Sequence, residues 1–498
     1  MSERLTRRQA IEAASVAGAS LLAGAETGAD SELVSKSAVE LVAMIRRRAV
    51  SSVEVLEAHL KRIEQINPKV NAIVTLEPEM AREAAHRADE AVRKGAALGP
   101  LHGLPIAHKD LQETRGIRTT FGSRIFKDNV PVEDSLTVER LKRAGAITIG
   151  KTNTPEFGAG SQTFNAIFGA TKNPYNLAKT CGGSSGGAAV SLATLMMPIA
   201  DGSDFGGSLR NPAGWCNVVG FRTCAGRVPR YPVAQGWFSG SVDGPMARSV
   251  ADVALMLSAM AGPDPRSPIS ITEPGSVFAR PLGANVKGRR VAWFKDMGGL
   301  PFEKEVADAV NRQRATFESL GFIVEEAEPD FRDADFVFKT LRGWLSYASH
   351  AEHLRQYPQF YKNTLRGEIE GGAKVTAADL ARAEILRTAL YHRVRVFFER
   401  YDYFVAPVSQ VAPFDIAQEY PTSINGVAME SYIDWMKSCY FISATGLPSI
   451  SVPAGFTESG LPTGLQIVGR QWGEWSVLEA AHAYEQATQF GRKRPVLS

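Results

Sequence analysis

The chain has 498 residues, 44% hydrophobic and 22% charged, with a formal net charge of +3. This is the composition of an ordinary soluble globular protein, with length for one large α/β domain or two to three smaller ones. The small charge, with no basic run interleaved with aromatics, speaks against nucleic acid or an anionic membrane surface as partner.

The first element in chain order is a leader. Thr6-Arg7-Arg8-Gln9 precedes a small-residue apolar stretch over 10–25 that ends in Ala23-Gly24-Ala25. This pattern resembles a twin-arginine export signal with a small-x-small cleavage site, so residues 1–30 are read as a leader on a periplasmic or exported protein. The alternative is a disordered or amphipathic leader on a cytoplasmic one. No run of 18 or more apolar residues predicts a membrane-spanning helix. Cys181, Cys216, Cys224 and Cys439 form no CxxC and no zinc spacing, so free thiols are expected and no metal site.

Two helices are predicted within 31–66, the second capped by Ser51-Ser52 and ended by Asn67-Pro68. A short strand over 70–76 and a helix over 78–94 follow. The apolar run 104–108 reads as a buried strand delivering Lys109 at its end. Residues 138–144 are helical and 146–149 a strand. The polar 171–180 segment reads as a loop, and 196–200 as a strand. Strands over 289–294 and 322–325 flank a helix over 303–320. Residues 331–400 carry long helical patterns and the aromatics Trp344, Tyr347, Tyr357, Phe360 and Tyr361, and are read as a helical insertion capping the site. Strands resume over 403–407 and 449–453. Residues 263–281, with five prolines, read as a mobile loop. The alternation predicts an α/β fold with a central sheet covered by helices.

Two glycine-rich serine loops stand out: Cys181-Gly182-Gly183-Ser184-Ser185-Gly186-Gly187 and Gly202-Ser203-Asp204-Phe205-Gly206-Gly207-Ser208-Leu209-Arg210. Neither has the Gly-Lys-Ser/Thr ending of a P-loop or the GxGxxG spacing of a dinucleotide site. The first matches GxSxG, but a nucleophile elbow follows a buried strand and 171–180 is polar. The second can follow a strand, and its glycines let successive amides converge beside a hydroxyl, as an oxyanion hole requires. Ser208 is therefore the expected nucleophile, with the amides of Phe205, Gly206, Gly207 and Ser208 as donors. A serine needs a base. No histidine lies in either loop, and His108, in a strand ending at Lys109, points to the opposite face. A buried lysine with a lowered pKa serves instead.

These loops, with Gly103-Leu104-Pro105-Ile106-Ala107-His108-Lys109-Asp110, resemble the amidase signature family of Ser–Ser–Lys hydrolases. The resemblance is densest over 101–230 and extends to Gly150-Lys151-Thr152-Asn153-Thr154-Pro155-Glu156-Phe157, Gly446-Leu447-Pro448 and Gly464-Leu465-Gln466. It implies one large domain over 31–498, with a central mixed sheet and helices on both faces. It implies Lys109 as base, Ser184 as bridging serine and Ser208 as acyl-forming nucleophile, with a cis Gly183–Ser184 peptide. Ser185 is expected to support them by hydrogen bonding, and Asp204 and Arg210 to brace the loop. His108 departs from the small or branched residue usual before the lysine, and Phe205 from the usual threonine or aliphatic residue.

The expected activity is cofactor-free hydrolysis of a small-molecule amide, with esters, aryl amides and carbamates open to the same chemistry, by a monomer or homodimer. Phe205 and the insertion's aromatics suggest an apolar or aromatic pocket. Two alternatives stand beside it: a glutamine-hydrolysing amidotransferase component, and an inactive binding homologue. The leader and the insertion argue against the first, the intact serine and lysine motifs against the second.

Overall fold

The computed structural model describes residues 32–497; the predicted leader lies outside them. The N-terminal helices form where expected, Ala38–Arg46 and Ser52–Val70, each opened by a serine–glutamate capping box, Ser37 with Glu40 and Ser51 with Glu54. The second helix does not stop at Asn67-Pro68 but runs to Val70, with Asn71 in the left-handed conformation beyond it. A proline in the last turn forfeits one bond, and Asn67 secures the exit: its Oδ1 accepts the amides of Ala72 and Ile73.

Lys109 stands at the end of strand Pro105–Lys109, in a three-stranded sheet with Ile147–Thr152 at the centre and Ile73–Leu76 beyond. The main sheet has eight strands in the order Ile323–Glu326, Arg290–Trp293, Tyr403–Pro407, Pro462–Val468, Ser449–Phe456, Val219–Arg222, Val242–Ala247, Ile199–Asp204. It is mixed: the first three strands run parallel and the remaining pairings are antiparallel. Helices flank it, and the fold is a single large α/β domain of mixed-sheet type. Strand Ile199–Asp204 is its edge, and the Lys109 strand lies against that edge without joining its ladder. Among the described residues, no helix is long and apolar enough to cross a membrane.

Two predicted elements change. The 303–320 helix is two, Lys304–Asn311 and Arg314–Ser319, where the amides of Gln313 and Thr316 bond three residues back and tighten the chain. The polar 171–180 segment is a small hairpin, Lys172–Asn173 with Asn176–Thr180, outside the main sheet. It is no buried strand, so the elbow geometry is absent there.

The 331–400 segment is helical as predicted, in three helices: Ala334–Gln356, Asn363–Gly372 and Ala377–Arg400. A Cβ at Gly372 would lie 2.0 Å from the Gly343 carbonyl, so glycine there lets the first two helices approach closely. That contact brings Arg342 and Ser346 of one helix beside Glu368 of the other.

Candidate active site

Strand Pro105–Lys109 is wholly buried, and its alternation sends His108 and Lys109 to opposite faces. Lys109 Nζ donates to Ser184 Oγ (2.7 Å), Ser185 Oγ (3.0 Å) and Ser203 Oγ (3.0 Å). Burial lowers its pKa to about 7 against the opposing pull of Asp243, Asp201 and Asp204, with Arg230 adding to the lowering. Among the described residues, then, the amine's partners are three neutral hydroxyls, and near neutrality it exchanges between ammonium and free amine. Asp110 is no solvated surface partner: it is buried and bonded to Thr120.

The first serine loop is pinned from outside. Ser161 Oγ donates to the Gly183 carbonyl (2.9 Å) and Thr163 Oγ1 to that of Gly182 (2.8 Å). The Gly183–Ser184 peptide is cis, as the family resemblance implied. Helix Gly186–Ala193 begins immediately afterwards. The Ser185 amide donates to the Ser208 carbonyl (3.2 Å), tying the two loops together.

The second loop turns around Asp204. Its carboxylate accepts the amides of Gly207 (2.9 Å) and Leu209 (3.1 Å), Arg210 Nε and Nη2 (both 3.1 Å), and Arg222 Nη1 (3.1 Å). Burial pushes this carboxyl up, but Arg210 and Arg222 outweigh it and hold it well below the usual range. Arg210 is fully buried and also reaches the Cys439 carbonyl, Gln466 Oε1 and Ser443 Oγ. It is thus a brace within the core, out of reach of a substrate.

The four amides expected to form the oxyanion hole differ in their contacts. The Gly207 N–H is committed to Asp204, while those of Phe205, Gly206 and Ser208 have no acceptor among the described residues. Gly207 has φ +123°, and a Cβ there would meet Asn211 Nδ2 and the Cys439 Cβ at 2.7 Å, so its part is to make the turn.

Ser184, Ser203, Phe205 and Ser208 line one cavity of about 250 Å³. No hydrogen bond joins the Ser184 and Ser208 hydroxyls; they share the cavity wall. Phe205 packs against Phe238 and Phe338, with ring centroids 5.3 and 4.9 Å apart. The helices of 331–400 form part of the wall, through Arg342, Leu345, Ser346, Ser349, His350, Leu365 and Glu368. None of the five aromatics singled out from the sequence lines it: Tyr347 and Tyr357 are exposed, and Tyr361 is buried behind the wall, stacked on Phe157 at 5.6 Å. Arg342 Nε bonds Glu368 (2.9 Å) and its Nη2 bonds Tyr432 (2.8 Å). Arg230, the other arginine in the wall, pairs with Asp243 at 3.2 Å.

All four cysteines are free and buried, and burial pushes the thiols of Cys181 and Cys439 up to about 12, so neither supplies a thiolate. Sequence reasoning missed Asp201 and Ser203. Their signal was the two-residue period in Ile199–Asp204, which puts both on the face that meets the Lys109 strand.

The sequence matches the Amidase family model over residues 54–478. It is 35% identical to an acylamidase of Rhodococcus erythropolis over 470 residues, covering 92% of this chain and 97% of that one. It is also 35% identical, over 495 residues, to one component of the glutamyl-tRNA(Gln) amidotransferase of Moorella thermoacetica, covering 94% and 99%. Its fold matches a bacterial aryl acylamidase of the amidase signature family with a TM-score of 0.86 at 29% identity, covering 93% of this chain and 99% of that one. The chain therefore belongs to the amidase signature family and is an amidase.

Proposed function

We propose that this amidase cleaves carboxylic amides through an acyl-enzyme on Ser208, with Ser184 as proton relay and Lys109 as base. The observation that carries the reading is the Lys109–Ser184 contact of 2.7 Å, made by a buried amine that loses its proton near pH 7. The Ser208 oxygen attacks the carbonyl carbon while its proton passes to Ser184 and the Ser184 proton to Lys109. The amides of Phe205, Gly206 and Ser208 receive the developing oxyanion. The same chain then returns a proton to the leaving nitrogen, and the C–N bond breaks. Water attacks the ester by the reverse relay, releasing the acid and restoring Ser208.

The substrate class is an apolar or aryl acyl amide. Phe205, Phe238, Phe157, Leu111 and Leu365 supply apolar wall around the serines. Both arginines in the wall are paired with carboxylates, which leaves neither to clamp the free α-carboxylate of glutamine. The sequence is equally similar to both kinds of relative, and the fold match supports this reading: its TM-score is 0.86 to the aryl acylamidase and 0.70 to a solved amidotransferase component.

The test is a serine-directed fluorophosphonate followed by peptide mass spectrometry. The adduct is expected on the peptide holding Ser208, and Ser208→Ala should lose labelling and turnover while staying folded. An adduct on Ser184 or Ser185 overturns the assignment.

A further inference from the structure

One buried pair lies behind the lysine and takes no part in the chemistry proposed above. His108 Nδ1 is 2.5 Å from Asp201 Oδ2, and both side chains are wholly inaccessible. The other carboxylate oxygen, Oδ1, accepts the backbone N–H of Lys109 at 2.7 Å. His108 Nε2 is 3.0 Å from Thr148 Oγ1 on the neighbouring strand. The strands of Lys109 and Asp201 belong to different sheets, so side chains here do what a ladder does elsewhere. Strand Ile199–Asp204 grips Lys109 at both ends, Asp201 at its backbone and Ser203 at its Nζ.

We propose that His108 and Asp201 form a positioning pair that fixes the backbone of Lys109 and sets the charge its amine faces. Neither residue touches substrate; both act through the lysine, and the inference rests on the reading of Lys109 as base. A histidine buried beside the lysine and wholly paired with a carboxylate is a costly arrangement for a core, since apolar residues of similar volume would be neutral or better. What it supplies is a fixed negative charge behind an amine that must hold a proton in one step and lose it in the next.

The charged groups around that amine come from several elements. Asp201 and Asp204 lie on the edge strand, Asp243 on strand Val242–Ala247, and Arg230 on the segment before it; the three carboxylates favour the ammonium and Arg230 opposes it. On the His108 side, Lys151 of strand Ile147–Thr152 also feels Asp201, and donates to Thr114 and Thr119. Of the three carboxylates, Asp204 is tied to two arginines and Asp243 to Arg230, Gln112 and Thr137. Asp201 is the one whose side-chain partner is a histidine, so that ring is the group that compensates its charge.

Asp201→Asn removes a charge that favours the ammonium, so the free amine forms at lower pH. His108→Leu removes the donor that compensates the carboxylate, in either protonation state of the ring, so the free amine forms at higher pH. His108→Asn puts an amide N–H close to where Nδ1 stood and should keep the wild-type position.

The experiment is the pH dependence of fluorophosphonate labelling in the full chain, wild type and variants. Expected is an acid limb that moves down by about one pH unit in Asp201→Asn, up by a comparable amount in His108→Leu, and hardly at all in His108→Asn. The position of the limb does not depend on the folded fraction, which scales amplitude only, so a purely structural role would lower amplitudes and leave the limb in place. A limb in the wild type that vanishes in Lys109→Ala yet stays fixed in both Asp201→Asn and His108→Leu overturns the pairing alone. A limb that survives in Lys109→Ala overturns the base reading instead.

Discussion

Replacing Asp204 with asparagine should damage the site although it leaves the cavity lining intact. The carboxylate is fully buried and accepts five bonds, two from amides of its own loop and three from Arg210 and Arg222. Asparagine keeps one acceptor oxygen and turns an NH2 donor toward groups that are themselves donors. Both arginines then remain buried without their counter-ion, and breaking one partner from such a pair costs about 3–5 kcal/mol. Arg210 keeps its bonds to Cys439, Gln466 and Ser443, and Arg222 its bonds to the Asp204 and Gly240 carbonyls, so the lower half of that range is expected. Because the Asp204 carboxyl is depressed in the fold, its stabilisation is fully present above about pH 4, the unfolded carboxylate value, and is lost as pH falls through the depressed one.

The assay is urea unfolding at pH 7 and at pH 3, paired with fluorophosphonate labelling. Asp204→Asn should lose about 3 kcal/mol at pH 7, and the difference from wild type should shrink at pH 3. Labelling should fall by about 100-fold or more, since the turn that aims the Phe205, Gly206 and Ser208 amides is no longer held. A loss under about 1 kcal/mol, or near-normal labelling in the folded variant, would refute the view that Asp204 organises the hole.

Four further outcomes are expected. Amide turnover should rise with pH through about 7, with about a tenth of the amine free at pH 6 and nine tenths at pH 8; Lys109→Ala should lose far more activity on amides than on activated esters, whose leaving group needs no proton, and equal losses would count against it. Phe205→Ala, which removes an aromatic wall from the cavity, should raise kcat/KM for bulky over small acyl groups by about 10-fold or more; an unchanged ratio would show that Phe205 does not bound the acyl group. We also propose export through Arg7-Arg8: a reporter fused to residues 1–30 should reach the periplasm, an Arg7→Lys/Arg8→Lys pair should stop it, and export of both forms alike would remove the twin-arginine reading.

The legible parts of the sequence were those with local signatures. The cap at Ser51, apolar strands and long helical periods depend on neighbours a few residues away, and the structure places them within a few residues of expectation. Lys109, Ser184 and Ser185 were singled out through the family resemblance, and the structure brings them within hydrogen-bond distance of one another. What escaped were residues whose meaning depends on a distant strand. Ser203 sits inside a loop that was read in full, yet only the packing of two separate sheets shows that its hydroxyl meets Lys109. The 331–400 segment misled in a similar way. Its aromatics drew attention by size, but the cavity is met by Arg342, Ser346 and Glu368, which come together only because Gly343 and Gly372 let two helices touch. His108 is the sharpest case. Strand alternation correctly turned it from the serines, and that suggested a side chain that could be dispensed with. The same alternation puts it against Asp201, whose other oxygen holds the lysine in place. Facing away from the chemistry therefore does not make a residue independent of it: the opposite face of a catalytic strand is where the strand's position is fixed.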